Sequence, residues 1–372
     1  MNKTQLSNPV RLIAFFLTAV ILTCTFGFTV DGWQDSADNA GDDNTNQPND
    51  DNPENNADDI PTDAPPADEP QIHIPEFVSR ITGIEVSEDD AKSLSVALVI
   101  NPSLPLYGLS SAELICDVPT EDGGRYIAFI NTSTELWKIG SVSPTRGYIS
   151  NIAKYFGGVL LSYGNDDSIS YDVCDVSKMK LDLSQDRGYH YTEDDGAIYT
   201  NSDLLSGGLL SLGINGQSIS ASPLPYVHTD FGTEKIAFEN NTAITVEINS
   251  EGNCALQLNY DSESSTYHIS KNGTVLTDAY SEKELLFENC FVLFADSAIY
   301  DRVGCNQMVM DTIGEGFGYY ITNGSFSKIK WTAASGGIMT FYSEIGEKLT
   351  VNRGRNYITF IRSSWADKIS FH

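Results

Sequence analysis

The sequence predicts an α+β protein, with an N-terminal α/β domain followed by a mostly antiparallel β domain built as a sandwich or barrel. Three observations lead there. Short runs that are apolar almost throughout, such as SVALVI at Ser95–Ile100 and VLLSY from Val159 to Tyr163, read as strands buried on both faces, with helical patterns between them. Near Ser222-Pro223-Leu224-Pro225 the pattern changes, and beyond it apolar residues recur at every second position, as at Ile244, Val246 and Ile248. Asn272-Gly273 and Asn323-Gly324 separate such runs as two-residue hairpin turns.

In chain order, residues 1–30 carry Lys3 and Arg11 ahead of nineteen mostly apolar residues, LIAFFLTAVILTCTFGFTV. That is close to the length of a bilayer-spanning helix. Bases before it and acids after it place the N-terminus inside and the remainder outside, and a secretory signal has the same form. Cys24 within the run is a lipidation candidate, although Thr23 replaces the small residue usual before a lipidated cysteine; an anchor with an incidental cysteine is the alternative. Either way the protein is expected at the extracytoplasmic face of a membrane. Residues 31–73 form an acidic linker, with thirteen Asp or Glu and no Lys or Arg between Asp31 and Pro70, and such a composition predicts a disordered, self-repelling tether.

The α/β domain is expected over 74–225. Ser87-Glu88-Asp89-Asp90 reads as a capped helix start. After the strand Ser95–Ile100 comes a helical turn from Ser110 to Leu114. A hairpin follows, Ile115 to Val118 returning from Tyr126 to Ile130 through Glu121-Asp122-Gly123-Gly124. Ile149, Ile152 and Phe156 share one helical face ended by Gly157, and Leu204 to Leu212 predicts another helix. The β domain is expected over 226–372, with further strands at Phe287 to Phe294, Gly318 to Ile321, Ile329 to Trp331 and Tyr357 to Ile361.

The formal net charge is −29. With the linker's acids and the two N-terminal bases set aside, residues 71–372 still hold 38 acids against 20 bases. Such a chain repels phosphate backbones, so nucleic acid is excluded as a partner. Five cysteines follow Cys24, at 116, 174, 254, 290 and 305; without a CxxC pair they read as buried free thiols, a Cys290–Cys305 bridge being the alternative. The five histidines show no metal spacing, and His268 reads as structural. The glycines of Gly314-Glu315-Gly316-Phe317-Gly318 precede no helix, which fails the context test for a nucleotide loop. No metal and no cofactor are expected.

What remains is the bend Ser143-Pro144-Thr145-Arg146-Gly147. Ser143 or Thr145 is positioned to cap the helix, and Arg146 adds a bidentate donor beside the positive end of its dipole. At the edge of an α/β sheet that pairing could hold a carboxylate or phosphate. The alternative is that Arg146 pairs with one of the protein's many acids.

ITGIEVSEDDAKSLSVALVIN, EDGGRYIAFI and KIGSVSPTRGYISNIAKYFGGVLLSYG resemble the first half of the YerB-like family of bacterial membrane-anchored lipoproteins. LNYDSESSTYHISKNG, the Asn289 before CFVLF, and TFYSEIGEKLTVNRG resemble its C-terminal domain, so the likeness spans about residues 79–366. It implies an extracytoplasmic protein of two domains, linked in some relatives to wall assembly or sporulation. Relatives show Arg-Ser-Ala-Arg in the bend, where Ser143 here replaces the first arginine. Their histidines after the next strand and before a Leu-Tyr pair are missing from Ser162 to Asp166 and from Gly196 to Tyr199. The polar set that remains, Asn101, Asp122, Arg125, Arg146 and Tyr199 with Ser143 and Thr145, suits ligand binding better than proton transfer. No catalytic residue is assigned. The expectation is a membrane-tethered accessory protein of the cell envelope that binds an anionic wall component or a protein partner. The alternative is a degenerate or active hydrolase or transferase acting on an envelope polymer, with Asp122 as base and Arg146 as electrostatic clamp.

Overall fold

The computed structural model describes residues 72–164, 180–185, 188–214, 223–249, 255–302, 305–334 and 337–372. The N-terminal segment with Cys24, the acidic linker up to residue 71, Asn165, Asp166, Cys174 and Cys254 lie outside them. Asp68–His372 is one compact unit.

Its centre is a ten-stranded mixed sheet. From one edge to the other it runs Ile338–Ser343, Ser325–Ala334, Gly314–Thr322, Asn289–Ala295, Asn356–Arg362, Leu114–Val118, Arg125–Asn131, Ser95–Ile100, Val159–Ser162 and Lys180–Asp182. The sheet is open at both ends, so the barrel expectation gives way to layered sheets. Strands from both sequence halves join in it: Asn356–Arg362 lies parallel to Asn289–Ala295 on one side and to Leu114–Val118 on the other. Helices are few. Among the described residues the α-helices are, besides the short Glu88–Lys92 capped by Ser87 as expected, Gly147–Tyr155 and Ser202–Ser211. The helical turn expected from Ser110 is a single 3-10 turn at Leu109–Ser111.

The apolar runs explain themselves once the layers are in place. Successive side chains of a strand point to opposite faces. Val96, Leu98 and Ile100 enter one hydrophobic cluster, while Ala97 and Val99 enter the other. Cys290, Val292 and Phe294 likewise oppose Phe291, Leu293 and Ala295. Each large aliphatic side chain so buried contributes about 1.5–3 kcal/mol. The first cluster is shared with a second sheet, ordered Thr274–Val275, Thr266–Lys271, Ala255–Asp261, Thr245–Asn249 and Ile369–Phe371, with Leu286–Phe287 against Thr266–Lys271. The other cluster takes the apolar face of Gly147–Tyr155, through Tyr148, Ile149 and Ile152. Gly158 lets the chain re-enter the sheet directly behind that helix, because a Cβ there would lie 2.8 Å from Ala97 Cβ.

Both expected hairpin turns form, with φ of 52° and 76° at Asn272-Gly273 and 48° and 68° at Asn323-Gly324. Gly314 opens the strand Gly314–Thr322, so no nucleotide loop exists there. Cys116 and Cys290 are free and buried, which leaves no Cys290–Cys305 bridge, and burial raises both thiols far above their ordinary range. His268, on Thr266–Lys271, pairs with Glu284, two residues ahead of the neighbouring strand Leu286–Phe287. Among the described residues no helix is long and apolar enough to cross a membrane.

Candidate functional site

The strap of residues 141–146 crosses the C-terminal ends of two parallel strands, Ser95–Ile100 and Val159–Ser162. Ser143 N–H donates to Val99 O (2.8 Å), Tyr163 N–H to Ser143 O (3.1 Å) and Thr145 N–H to Gly164 O (3.4 Å). On its other side Val142 N–H donates to Ile198 O at 2.7 Å. The bend therefore lies at the sheet edge where parallel sheets hold ligands. The expected caps do not form. Arg146 itself is the N-cap of Gly147–Tyr155 and makes no side-chain cap bond, since a guanidinium has donors only. Ser143 and Thr145 are buried with their backbone tied to the strands, and Thr145 Oγ1 donates instead to Arg146 O at 3.3 Å.

Arg146 is held by a carboxylate from 25 residues upstream. Its Nε donates to Glu121 Oε1 at 3.1 Å, its Nη2 bonds the same carboxylate, and its Nη1 donates to Thr145 O at 3.0 Å. The two side chains are only 12% and 16% exposed, so this is an enclosed pair and not a solvated one. Glu121 stands in the turn of the Leu114–Val118/Arg125–Asn131 hairpin, and its Oε2 also accepts Met308 N–H at 3.1 Å from the ribbon strand Cys305–Met310. One carboxylate thus ties a hairpin turn, a helix start and a ribbon together. Burial works against its charge, but the Arg146 hydrogen bonds and the backbone donors, Met308 among them, hold Glu121 below the usual carboxylate range.

Asp122 and Arg125 form a second pair in the same turn. Arg125 Nη1 and Nη2 donate to the two Asp122 oxygens at 2.9 and 2.6 Å, and Nη1 also reaches Gly124 O at 2.6 Å. Arg125 is 7% exposed and Asp122 53%, while Arg125 Nε is buried without a partner. Partial burial opposes ionisation of Asp122, yet bonds from Arg125 and Thr120 and the charges of Arg125 and Arg146 keep its carboxyl low. Tyr148, whose hydroxyl donates to Pro119 O at 2.6 Å, feels all four charges, and burial first of all raises its hydroxyl. Two guanidiniums against two carboxylates leave this cluster without net charge, so an arriving anion meets no positive excess there.

The other expected residues go elsewhere. Asn101 Oδ1 accepts Ser103 N–H at 3.0 Å, a local turn bond, and its N–H donates to Ser141 O at 3.0 Å. Tyr199 is buried, donates to Asp195 Oδ2 at 2.9 Å, and shares Lys138 with Tyr107, the ammonium lying 3.9 and 4.0 Å from the two ring centres. Lys138 is itself paired with Glu193. Glu121, which ties Arg146 to the hairpin turn, is not among the residues that the sequence singles out. Its signal was the acid pair Glu121-Asp122 opposite two arginines, of which only Asp122 was singled out. Among the described residues no group of three or more metal-ligating side chains gathers.

Residues 81–210 match the N-terminal domain, and residues 244–358 the C-terminal domain, of the protein of unknown function family DUF3048. A curated relative, "Putative lipoprotein YerB" of Bacillus subtilis, is 21% identical over 298 residues, covering 78% of this chain and 88% of the relative. The crystal structure of the YerB protein from Bacillus subtilis superposes with a TM-score of 0.67 at 19% identity, over 80% of this chain and all of the other, and so shares the fold.

Proposed function

Because the chain is a YerB-like member of the DUF3048 family, we propose that it is a membrane-tethered accessory protein of the bacterial cell envelope, one that binds an anionic wall component or a protein partner without transforming it. A relative described as a lipoprotein, and the N-terminal pattern of two bases ahead of an apolar run, support the location. One observation carries the accessory role: both arginines of the conspicuous edge site are bound to their own carboxylates, Arg146 to Glu121 and Arg125 to Asp122. Carboxylates held low by such partners are poor bases, and the enclosed guanidiniums are not presented to a substrate. The test is incubation of the full chain, in neutral detergent micelles, with purified wall sacculi. The expected result is saturable retention with no release of soluble fragments. Fragment release that Asp122→Asn abolishes would establish an enzyme and overturn this reading.

A further inference from the structure

The first turn of the described residues, 77–86, doubles back on itself. Ser79 N–H donates to Ile84 O and Gly83 N–H to Ser79 O, both at 2.8 Å, and Val86 N–H donates to Phe77 O at 3.1 Å. Ile81, in the middle, is fully buried in the cluster that also takes Gly147–Tyr155. The four successive carbonyls of residues 80–83 all receive donors from beyond residue 225. His228 Nε2 donates to Arg80 O at 3.3 Å, Tyr226 Oη and Asn356 Nδ2 donate to Ile81 O at 3.1 and 3.3 Å, Gly354 N–H donates to Thr82 O at 2.8 Å, and Arg353 Nη1 bonds Gly83 O.

Among these donors the one that titrates near neutral pH is His228. It lies on Val227–His228, parallel to Thr350–Val351. A carbonyl only accepts, so Nε2 carries the ring proton and a second proton must go to Nδ1. Nδ1 is buried without a hydrogen-bond partner, and the Gly83 backbone lies against the ring, since a Cβ there would come within 2.6 Å of His228 Cγ. Burial lowers the imidazole's value; the bond to Arg80 O opposes this, and the Arg353 charge adds to the lowering. The other charged or titratable groups around it are Arg80, whose guanidinium bonds Phe156 O; Tyr226, whose ring meets the imidazole edge-on with centres 5.5 Å apart; Asp230, whose charge acts on Arg353; Glu85, paired with His73; and Glu113, bound by Ser79 Oγ.

We propose that the turn of residues 79–85 is an acid-released clasp where the chain enters its folded body, with His228 as the trigger. A charged imidazole has no acceptor there for its Nδ1–H and stands near a guanidinium, whereas in the opened turn water solvates both. The closed-state value lies below the free one. The clasp therefore keeps its full stability above about pH 6.5 and loses it as pH falls from there through the lowered value. Glu113 works the other way: burial raises its carboxyl, so through that group acid favours the closed turn. The clasp stands on the fold alone. Its consequence rests on the proposed membrane anchoring, under which release adds residues 72–86, roughly 50 Å of extended chain, to the tether.

Hydrogen exchange read by mass spectrometry on the full chain in neutral detergent micelles tests it, with rates corrected for the intrinsic effect of pH. Between pH 7 and pH 5 the opening of residues 77–86 rises roughly threefold or more, up to the one-proton limit of about tenfold per pH unit, while Ser95–Ile100 stays protected. His228→Gln keeps an N–H for Arg80 O and removes the titration, so its opening is flat with pH. His73→Gln leaves the rise intact. A rise that persists in His228→Gln, or that vanishes in His73→Gln, overturns the trigger, and no rise in the wild type overturns the clasp. If glutamine at 228 loosens the turn at every pH, NMR titration of the His228 ring in the wild type decides: a value below that of a free imidazole supports the trigger, and one at or above it overturns it. Failure of the anchoring reading would leave all of these readouts unchanged.

Discussion

At the strap, Arg146 is 12% exposed and held by Glu121; at the far edge of the same sheet, Lys328 and Lys330 stand in solvent beside exposed rings. Both regions place cations at a sheet edge, but only the first was conspicuous in the sequence. The difference lies in solvation. A guanidinium taken out of water must be paired, and once paired with Glu121 it serves as a cross-tie among three elements. An exposed ammonium keeps its hydration and gives it up only when a better partner arrives. Enclosed charge here is architecture, and exposed charge keeps its water.

The strongest way to break this contrast is Glu121→Ala. It leaves Arg146 enclosed without its carboxylate and Met308 N–H without its acceptor. A loss of about 2–3 kcal/mol in urea unfolding is expected, somewhat below the cost for a fully buried pair. Arg146→Ala should cost a similar amount, and the double variant clearly less than the sum; additivity would mean that the pair is not coupled. Acid sharpens the same point. Glu121 and Asp122 both titrate below their unfolded values, so the stability they contribute is complete above about pH 4–5 and is lost as pH falls through their lowered values. Glu121→Gln should flatten the acid limb of a stability–pH profile, and an unchanged limb would remove the pair from the account. Asp122→Asn should cost less than about 1 kcal/mol, because that carboxylate is half exposed. Smallest of all, Lys328→Ala and Lys330→Ala should leave unfolding within about 0.5 kcal/mol of wild type, and a larger loss would place these lysines with the architecture instead.

Much of the fold was legible. SVALVI and VLLSY are buried on both faces, and the Asn-Gly pairs make the expected hairpins, because alternation and turn chemistry are local properties of the chain. The hairpin around Glu121-Asp122-Gly123-Gly124 was legible for the same reason. The candidate site was only partly so. The place of the bend followed from strand–helix alternation, but the cap was misassigned, since Ser143 and Thr145 are held back by bonds to Val99 and Gly164 that no local pattern records. Asn101 and Tyr199, grouped with Arg146 as polar residues of one half, serve a local turn and a tyrosine–lysine cluster.

The amino-acid sequence by itself determined several of the strands, Ser95–Ile100 and Val159–Ser162 among them, where the Asn-Gly hairpins turn, and that the chain is strongly acidic, because period, turn residues and charge are carried by neighbouring residues. The tertiary structure alone decided that Asn356–Arg362 lies between Leu114–Val118 and Asn289–Ala295, uniting both halves in one sheet. It alone decided that Arg146 belongs to Glu121 while Lys328 and Lys330 belong to solvent. Those choices depend on how distant apolar faces close over one another, and burial, once set, dictates which charges must find partners.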